Sequence, residues 1–269
     1  MLGAAMVVGG VQILRMQDLS PVSPLLGPCI WRGPSTTRAV ALTFDDGPDP
    51  KWTPGVLQVL KREHVRATFF LVGENAAAYP GLVLQEKSAG CEIGNHTWDH
   101  PDLQSLSIRS MCSEVIRTQK TIARIIGPPP TLFRAPYGAR DPLLWPICHI
   151  AGLSMVGWSL SPWHGPSPSP ESLVADTLRR CRPGEIILLH DSRGARGQTV
   201  QALPMIIDGL KSKGYTFVTV SELIGASHLQ PGSLTLGLLP HSSRAPHTTS
   251  QRSHHTTAAP AARAPKRTV

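Results

Sequence analysis

Ala39-Val40-Ala41-Leu42-Thr43-Phe44-Asp45-Asp46-Gly47-Pro48 is an apolar run that stops on two adjacent carboxylates and then meets a turn. Ala39 to Phe44 is β-branched and aromatic enough to read as a buried strand, and Gly47 and Pro48 end it. Asp45 and Asp46 then stand at the strand's carboxyl end. Neighbouring side chains on a strand point to opposite faces, but at a strand-to-loop break both can turn towards one pocket. Further along, His96-Thr97-Trp98-Asp99-His100 follows a second short apolar stretch, Cys91 to Gly94. Two histidines and one carboxylate make a facial set of metal ligands that leaves positions open for water and substrate. The second carboxylate is then free to act as a base.

Each piece alone is ordinary. An isolated Asp-Asp-Gly-Pro is usually a turn, and an isolated H-x-x-x-H is usually two surface histidines. The spacing of the two histidines suits a helix, but Gly94, Asn95 and Pro101 around them favour a loop. Two further polar clusters change the reading. Arg134-Ala135-Pro136-Tyr137-Gly138 follows Thr131-Leu132-Phe133, and His190-Asp191 follows Glu185-Ile186-Ile187-Leu188-Leu189. Four polar clusters, each placed where an apolar strand stops, are poorly explained as four unrelated turns.

Together these residues resemble the polysaccharide deacetylases of carbohydrate esterase family 4, which carry the NodB homology domain. T-F-D-D-G-P, H-T-W-D-H, R-A-P-Y-G and L-L-H-D match the family's motifs one, two, three and five, in order, over roughly Arg38 to Ile224. The resemblance implies a metal-dependent hydrolase that removes acetyl groups from N-acetylglucosamine in peptidoglycan, chitin-like oligomers or an exopolysaccharide. Zn²⁺ is the expected metal, with Co²⁺ or another transition metal as substitute. A divalent ion lowers the pKa of a water to roughly 7 and polarises a carbonyl. Asp46, His96 and His100 are the expected ligands, Asp45 the general base and His190 the general acid, a role its near-neutral reference pKa suits. By resemblance, Arg134 orients Asp45, gripping the carboxylate with both arms of its fork. The backbone N–H of Tyr137 holds the oxyanion, and Leu188 lines the pocket for the acetyl methyl. Trp158 and Trp163 are either sugar-stacking or core residues. His64, His149 and His164 match no motif and read as structural or exposed.

The chain has 269 residues, enough for one sizeable core. Three segments are expected: an apolar lead and Pro/Gly-rich linker over 1–37, a catalytic domain over 38–225, and a disordered basic tail over 226–269. The tail holds Arg244, Arg252, Arg263, Lys266 and Arg267 without an acid, so it supplies five of the formal +8 charges. It reads as a solvated segment, or as one that adheres weakly to an anionic cell surface. Nothing beyond charge suggests nucleic-acid binding. Leu2 to Leu14 is apolar but short for a bilayer span and shows no basic start or clear cleavage site. A signal peptide, an anchor and a flexible lead all fit it. An extracytoplasmic or cell-envelope location is expected from the glycan substrate. The five cysteines are scattered, odd in number and without C-x-x-C, and read as small buried hydrophobes.

Between Arg38 and Ile224, strand-like runs alternate with helix-like windows. Strands are expected over 39–44, 67–72, 91–94, 131–133, 153–158, 185–189 and 216–218. Helices are expected from Thr53, as N-cap, to about His64, and near 81–89, 108–126, 142–151, 170–181 and 200–213. The alternation predicts the α/β class with parallel strands. Polar clusters at the strands' carboxyl ends favour a barrel bearing its site on that face, and the family implies the same, a distorted (β/α) barrel of about seven strands. An open doubly wound sheet is the alternative, without a glycine-rich phosphate loop to support it.

One departure stands out. The family's fourth motif supplies an aspartate near a strand-end tryptophan, which orients and tunes the acid histidine. Here Trp158-Ser159-Leu160-Ser161-Pro162-Trp163 places Ser161 there. Asp176 or Asp191 is the expected replacement; otherwise His190 should titrate near its unperturbed value of roughly 6.5. The competing functions are hydrolysis of a small non-sugar amide by the same metal chemistry, and a non-catalytic carbohydrate-binding relative. Intact ligands, base and acid argue against the second.

Overall fold

The computed structural model describes residues 26–163, 168–194 and 196–225. The expected lead over 2–14, His164 and the basic tail lie outside the described residues. Among the described residues no helix is long and apolar enough to cross a membrane.

Seven parallel strands form the framework: β1 (Ala39–Asp45), β2 (Thr68–Leu71), β3 (Glu92–Asn95), β4 (Leu132–Phe133), β5 (Ser154–Met155), β6 (Ile186–His190) and β7 (Thr216–Phe217). Their order is β5-β4-β3-β2-β1-β6, with β7 pairing the start of β1. The helices are α1 (Thr53–Arg62), α2 (Gly73–Ala78), α3 (Pro80–Ser88), α4 (Ile108–Ile126), α5 (Leu144–Ile150), α6 (Pro170–Arg180), α7 (Gly197–Ser212) and α8 (Val220–Ile224). The sheet curls until the chain beyond β5 meets β6. Leu160 pairs with Ile187, and the Leu188 amide donates to the Leu160 carbonyl at 2.8 Å. Isolated bridges rather than a ladder therefore join the two ends, which is the distortion expected of this barrel.

Alternation along β1 decides what faces where. Val40, Leu42 and Phe44 pack outward with Leu57, Leu60, Leu203 and Ile207 of α1 and α7. Ala41 belongs to a separate interior cluster with Phe70, Leu132, Val156 and Ile186, where α8 contributes Val220, Leu223 and Ile224. Thr43 and Asp45 continue that inward row towards the carboxyl end. The Val220 amide donates to Thr68 Oγ1 at 2.9 Å, fixing α8 to β2.

The domain starts earlier than residue 38. Ile30 bridges to Val156, Arg32 to Glu185, and Trp31 meets Trp158 edge-on at 6.4 Å. The Pro/Gly content of this stretch suggested a linker, but its backbone completes hydrogen bonds that the short β5 leaves open, as when the Gly157 amide donates to the Ile30 carbonyl. Thr53 is not an N-cap either. Trp52 holds that position, while Thr53 Oγ1 accepts from the Asp49 amide at 2.8 Å and donates to Asp191 Oδ2 at 2.5 Å. Helix α2 was absent from the pattern reading because six residues carry too little periodicity. Of the cysteines, all free, Cys91 and Cys148 are buried and the other three half-buried.

Candidate metal and catalytic centre

Sheet register brings the first and last clusters side by side: Asp45 pairs with His190 across β1 and β6, and with Phe70 across β2. Asp46, the next residue, has φ +77°. That left-handed backbone turns the second carboxylate back over the strand end instead of to the opposite face. The Asp46 carbonyl is held by the Asn75 amide group at 2.9 Å. Gly47 follows because a Cβ there would lie 2.6 Å from Asp191 Oδ1.

His96 to His100 form a loop, as expected. Its shape is fixed from outside: the Gly73 and Glu74 amides of α2 donate to the Thr97 and Trp98 carbonyls, each at 2.9 Å. Glu114 of α4 accepts from the Trp98 amide at 2.7 Å. Gly73 is required, since a Cβ would sit 2.6 Å from the Trp98 ring. Asn95 Oδ1 accepts from the Thr97 amide while its Nδ2 donates to the Val115 carbonyl. Thr97, His100, Tyr137 and Arg193 also have positive φ, so with Asp46 most of the left-handed non-glycine residues among the described residues cluster here. Such backbone persists only where surroundings over-determine it, and it gathers at functional sites.

The ligand atoms of Asp46, His96 and His100 all lie within 4.8 Å of one another. Asp46 Oδ1 is 3.1 Å from His100 Nε2 and 3.6 Å from His96 Nε2. Neither contact is a hydrogen bond, so Oδ1 is a buried acceptor without a donor. His96 Nδ1 meets the Arg134 carbonyl at 2.7 Å, which leaves Nε2 facing the site. A carbonyl behind a ligating imidazole is the usual way such a ligand is oriented. The donor set fits a divalent cation: two imidazoles, one carboxylate and an orphaned oxygen between them. Burial opposes ionisation of Asp46, but His100 and His96 outweigh it and hold its pKa well below the usual carboxylate range. Burial pulls His96 down, and Asp45 with Asp46 more than reverses this, so its pKa is raised.

Arg134 is the largest fully buried side chain, 1% exposed, and not a surface cation. One terminal nitrogen donates to both Asp45 Oδ1 and Thr43 Oγ1 at 2.7 Å, and the other donates to the Gly157 carbonyl at 2.8 Å. Its guanidinium lies 4.1 Å from the Phe70 ring centre. The expected two-armed grip on Asp45 is therefore corrected. The fork is divided among three partners, Asp45, Thr43 and Gly157. Asp45 Oδ1 is thereby tied down, while Oδ2 looks to His96 Nε2 at 3.8 Å. Tyr137 is 73% exposed, with its ring edge-on to His100 at 4.7 Å.

His190 Nδ1 is buried without a hydrogen-bond partner. Its pKa is lowered, first by burial; Asp45 and Asp46 partly offset this. The expectation of a value near 6.5 is corrected downward. The two proposed replacement acids have other partners. Asp176 is engaged by Arg179 and Arg180, and Asp191 faces Thr53, its pKa pushed up to about 7 chiefly by burial. Trp163 meets His190 edge-on at 6.4 Å, whereas Trp158 packs on Trp31 and Gly138. Leu188 is buried on β6, two residues before His190. His149 stacks on Trp145, away from the site.

Pattern reading missed Thr43, Asn95 and Glu114, which position the motif residues, and Arg193 and Arg196, which stand over Asp46 at 3.8 and 4.0 Å. The available signal was proximity in sequence: Asn95 precedes His96, and the two arginines follow His190 by three and six residues.

A family model described as polysaccharide deacetylase matches residues 32–156, a span that includes Asp45, Asp46, His96, His100, Arg134 and Tyr137 and stops before Leu188 and His190. The chain is 37% identical over 221 residues to a peptidoglycan-N-acetylglucosamine deacetylase of Bacillus cereus, covering 80% of this chain and 100% of that protein. It is 37% identical over 189 residues to a chitooligosaccharide deacetylase of Azorhizobium caulinodans, covering 66% and 90%. A crystal structure of a peptidoglycan N-acetylglucosamine deacetylase in complex with a naphthalenyl N-oxidanyl-benzamide superposes with TM-score 0.68 at 36% identity, over 72% of this chain and 92% of that one.

Proposed function

Because this chain belongs to the polysaccharide deacetylase family, a family of metal-dependent hydrolases of non-peptide C–N bonds, we propose that it removes N-acetyl groups from a glycan containing N-acetylglucosamine. The observation that carries this reading is the orphaned Asp46 Oδ1 between His96 and His100, with a second carboxylate and a histidine at matched register beside it. Asp46, His96 and His100 would hold the metal, Zn²⁺ by preference and Co²⁺ as substitute. Bound there, it would supply an acidified water and polarise the acetyl carbonyl.

Asp45 takes the proton of the attacking water on Oδ2, because Arg134 occupies Oδ1. A new C–O bond forms at the acetyl carbon, and the backbone N–H of Tyr137 receives the charge on the carbonyl oxygen. His190 protonates the amide nitrogen as the C–N bond breaks, releasing acetate and the sugar amine. Peptidoglycan and chitin-like oligomers are the substrates suggested by the names of the relatives. Action at the cell envelope fits such a substrate, and the charge of the basic tail would favour weak attraction to an anionic surface. The intact base and acid disfavour a purely binding role, and a small non-sugar amide finds no specific support.

The test is acetate release from peptidoglycan strands, chitin oligomers and small amides, combined with elemental analysis. Chelation should abolish release, and Zn²⁺ or Co²⁺ should restore it. Asp46→Asn, His96→Ala and His100→Ala should lose metal, while Asp45→Asn should keep it. Equal metal content in all four variants would overturn the division of roles.

A further inference from the structure

The loop between β6 and α7 carries two arginines that the reaction above does not use. Arg196 lies over the Trp163 ring at 4.7 Å, and its Nε donates to the Ser192 carbonyl at 2.6 Å. Arg193 donates to the Asp99 carbonyl at 3.0 Å. The loop is pinned to α1 as well, by Trp52 Nε1 donating to the Gly194 carbonyl at 3.0 Å. Both guanidiniums are thus aimed by backbone and ring contacts rather than by a carboxylate.

Among the described residues, Asp46 is the one acid within ion-pair distance of either arginine, at 3.8 and 4.0 Å. Both separations exceed a hydrogen bond. Asp46 is also the residue a metal would claim, and Asp45 already belongs to Arg134. Two cations therefore face the mouth of a site that a divalent ion would make more positive still. A neutral acetamide asks for neither of them, and the amine it releases would be repelled by both. Fixed guanidiniums beside a stacking ring are suited instead to a planar or tetrahedral oxyanion, and the amino-terminal end of α7, at Arg196 and Gly197, adds to the positive field.

We propose that Arg193 and Arg196 form a subsite for an anionic substituent, a carboxylate or phosphate, carried by the glycan next to the reacting N-acetylglucosamine. The subsite selects charged glycan over neutral oligomer, and it rests on the glycan deacetylase reading of the adjoining centre.

The test is calorimetric titration of the full-length Asp45→Asn chain, which prevents turnover. The probes are an alternating N-acetylglucosamine–N-acetylmuramic acid tetrasaccharide, the same sugar with its carboxylates reduced to alcohols, and N-acetylglucosamine tetramer with and without a 6-phosphate. The carboxylate form should bind at least about tenfold tighter than its reduced partner, and the preference should shrink with salt. Adding Arg193→Gln and Arg196→Gln should remove the preference, and the corresponding lysine variants should restore part of it. A preference shown by the phosphate pair instead of the carboxylate pair identifies phosphate as the anion and supports the subsite. Equal affinity within both pairs, or a preference that survives loss of both arginines, overturns it. Acetate release by the unaltered chain judges the deacetylase reading separately: no release together with an arginine-dependent preference would sink that reading and leave the anion subsite in place.

Discussion

Asp45 and His190 stand at the same height on adjacent strands, yet their surroundings differ sharply. Asp45 has one oxygen fixed by a buried arginine that is itself bonded to Thr43 and Gly157. His190 has a buried Nδ1 without a hydrogen-bond partner, and Trp163 lies edge-on to its ring at 6.4 Å between centres. The base is set by hydrogen bonds, and the acid by packing. A hydrogen-bonded carboxylate keeps its orientation, whereas a histidine placed by packing takes its proton affinity from whatever field surrounds it.

The strongest test of that asymmetry is a pair of rate measurements on metal-loaded protein. Asp45→Asn should lower kcat by roughly 10⁴, and His190→Ala by roughly 10², the two ends of the range for general acid–base groups. Water can partly replace a loosely placed acid but not a base pre-aimed by Arg134. Equal losses would break the comparison.

Stability should divide along the same line. Arg134→Met leaves Asp45 buried beside an apolar side chain and should cost about 3–5 kcal/mol in urea unfolding. His190→Ala removes no hydrogen bond at Nδ1 and should cost less, on the order of 1–3 kcal/mol for lost packing. If Arg134→Met unfolds at the wild-type midpoint with an unchanged slope, the buried pair is not what secures the base.

The pH profile reads the acid half directly. Burial lowers the His190 pKa, and catalysis needs the protonated ring. The rate should therefore fall as pH rises through that lowered value, placing the alkaline arm of kcat/KM below about 6.5. A bound cation would push the same way. An alkaline arm above 7 that vanishes in His190→Ala would show an unrecognised anion near the ring.

The smallest expected effect comes from Ser161→Asp. A carboxylate at that position should raise the His190 pKa and move the alkaline arm upward, by at most about one unit. An unmoved arm in a folded, metal-loaded variant would mean that Ser161 does not occupy the position of the missing acid.

Much of this centre was legible in the chain. Residue types at strand ends marked the candidate cluster, because a strand's carboxyl end is where apolar alternation gives way to side chains that need solvent, metal or each other. The family resemblance suggested which would be ligands, base and acid. The long helix α4 was legible too, through its apolar stripe and its Gly127 stop. The neighbouring Asp191 was visible but its state was not: burial first, then the charges of Asp46 and Asp49, push it up to about 7 against the opposing hydrogen bond from Thr53.

What the sequence by itself determined is local: where each strand breaks, and which chemical group stands at each break. Tertiary structure alone decided how those groups share their bonds. Arg134 is divided among Asp45, Thr43 and Gly157, rather than clasping one carboxylate, because the curled sheet brings β1 and the segment after β5 within reach of one side chain. Arg193 and Arg196 arrive over Asp46 because the β6–α7 loop is anchored to Trp52 and Asp99, residues far away in the chain. Backbone propensity and residue chemistry act within a few positions, so they can be read in order along the chain. Hydrogen-bond partition and electrostatic field depend on distances between strands, and those exist only once the sheet has curled.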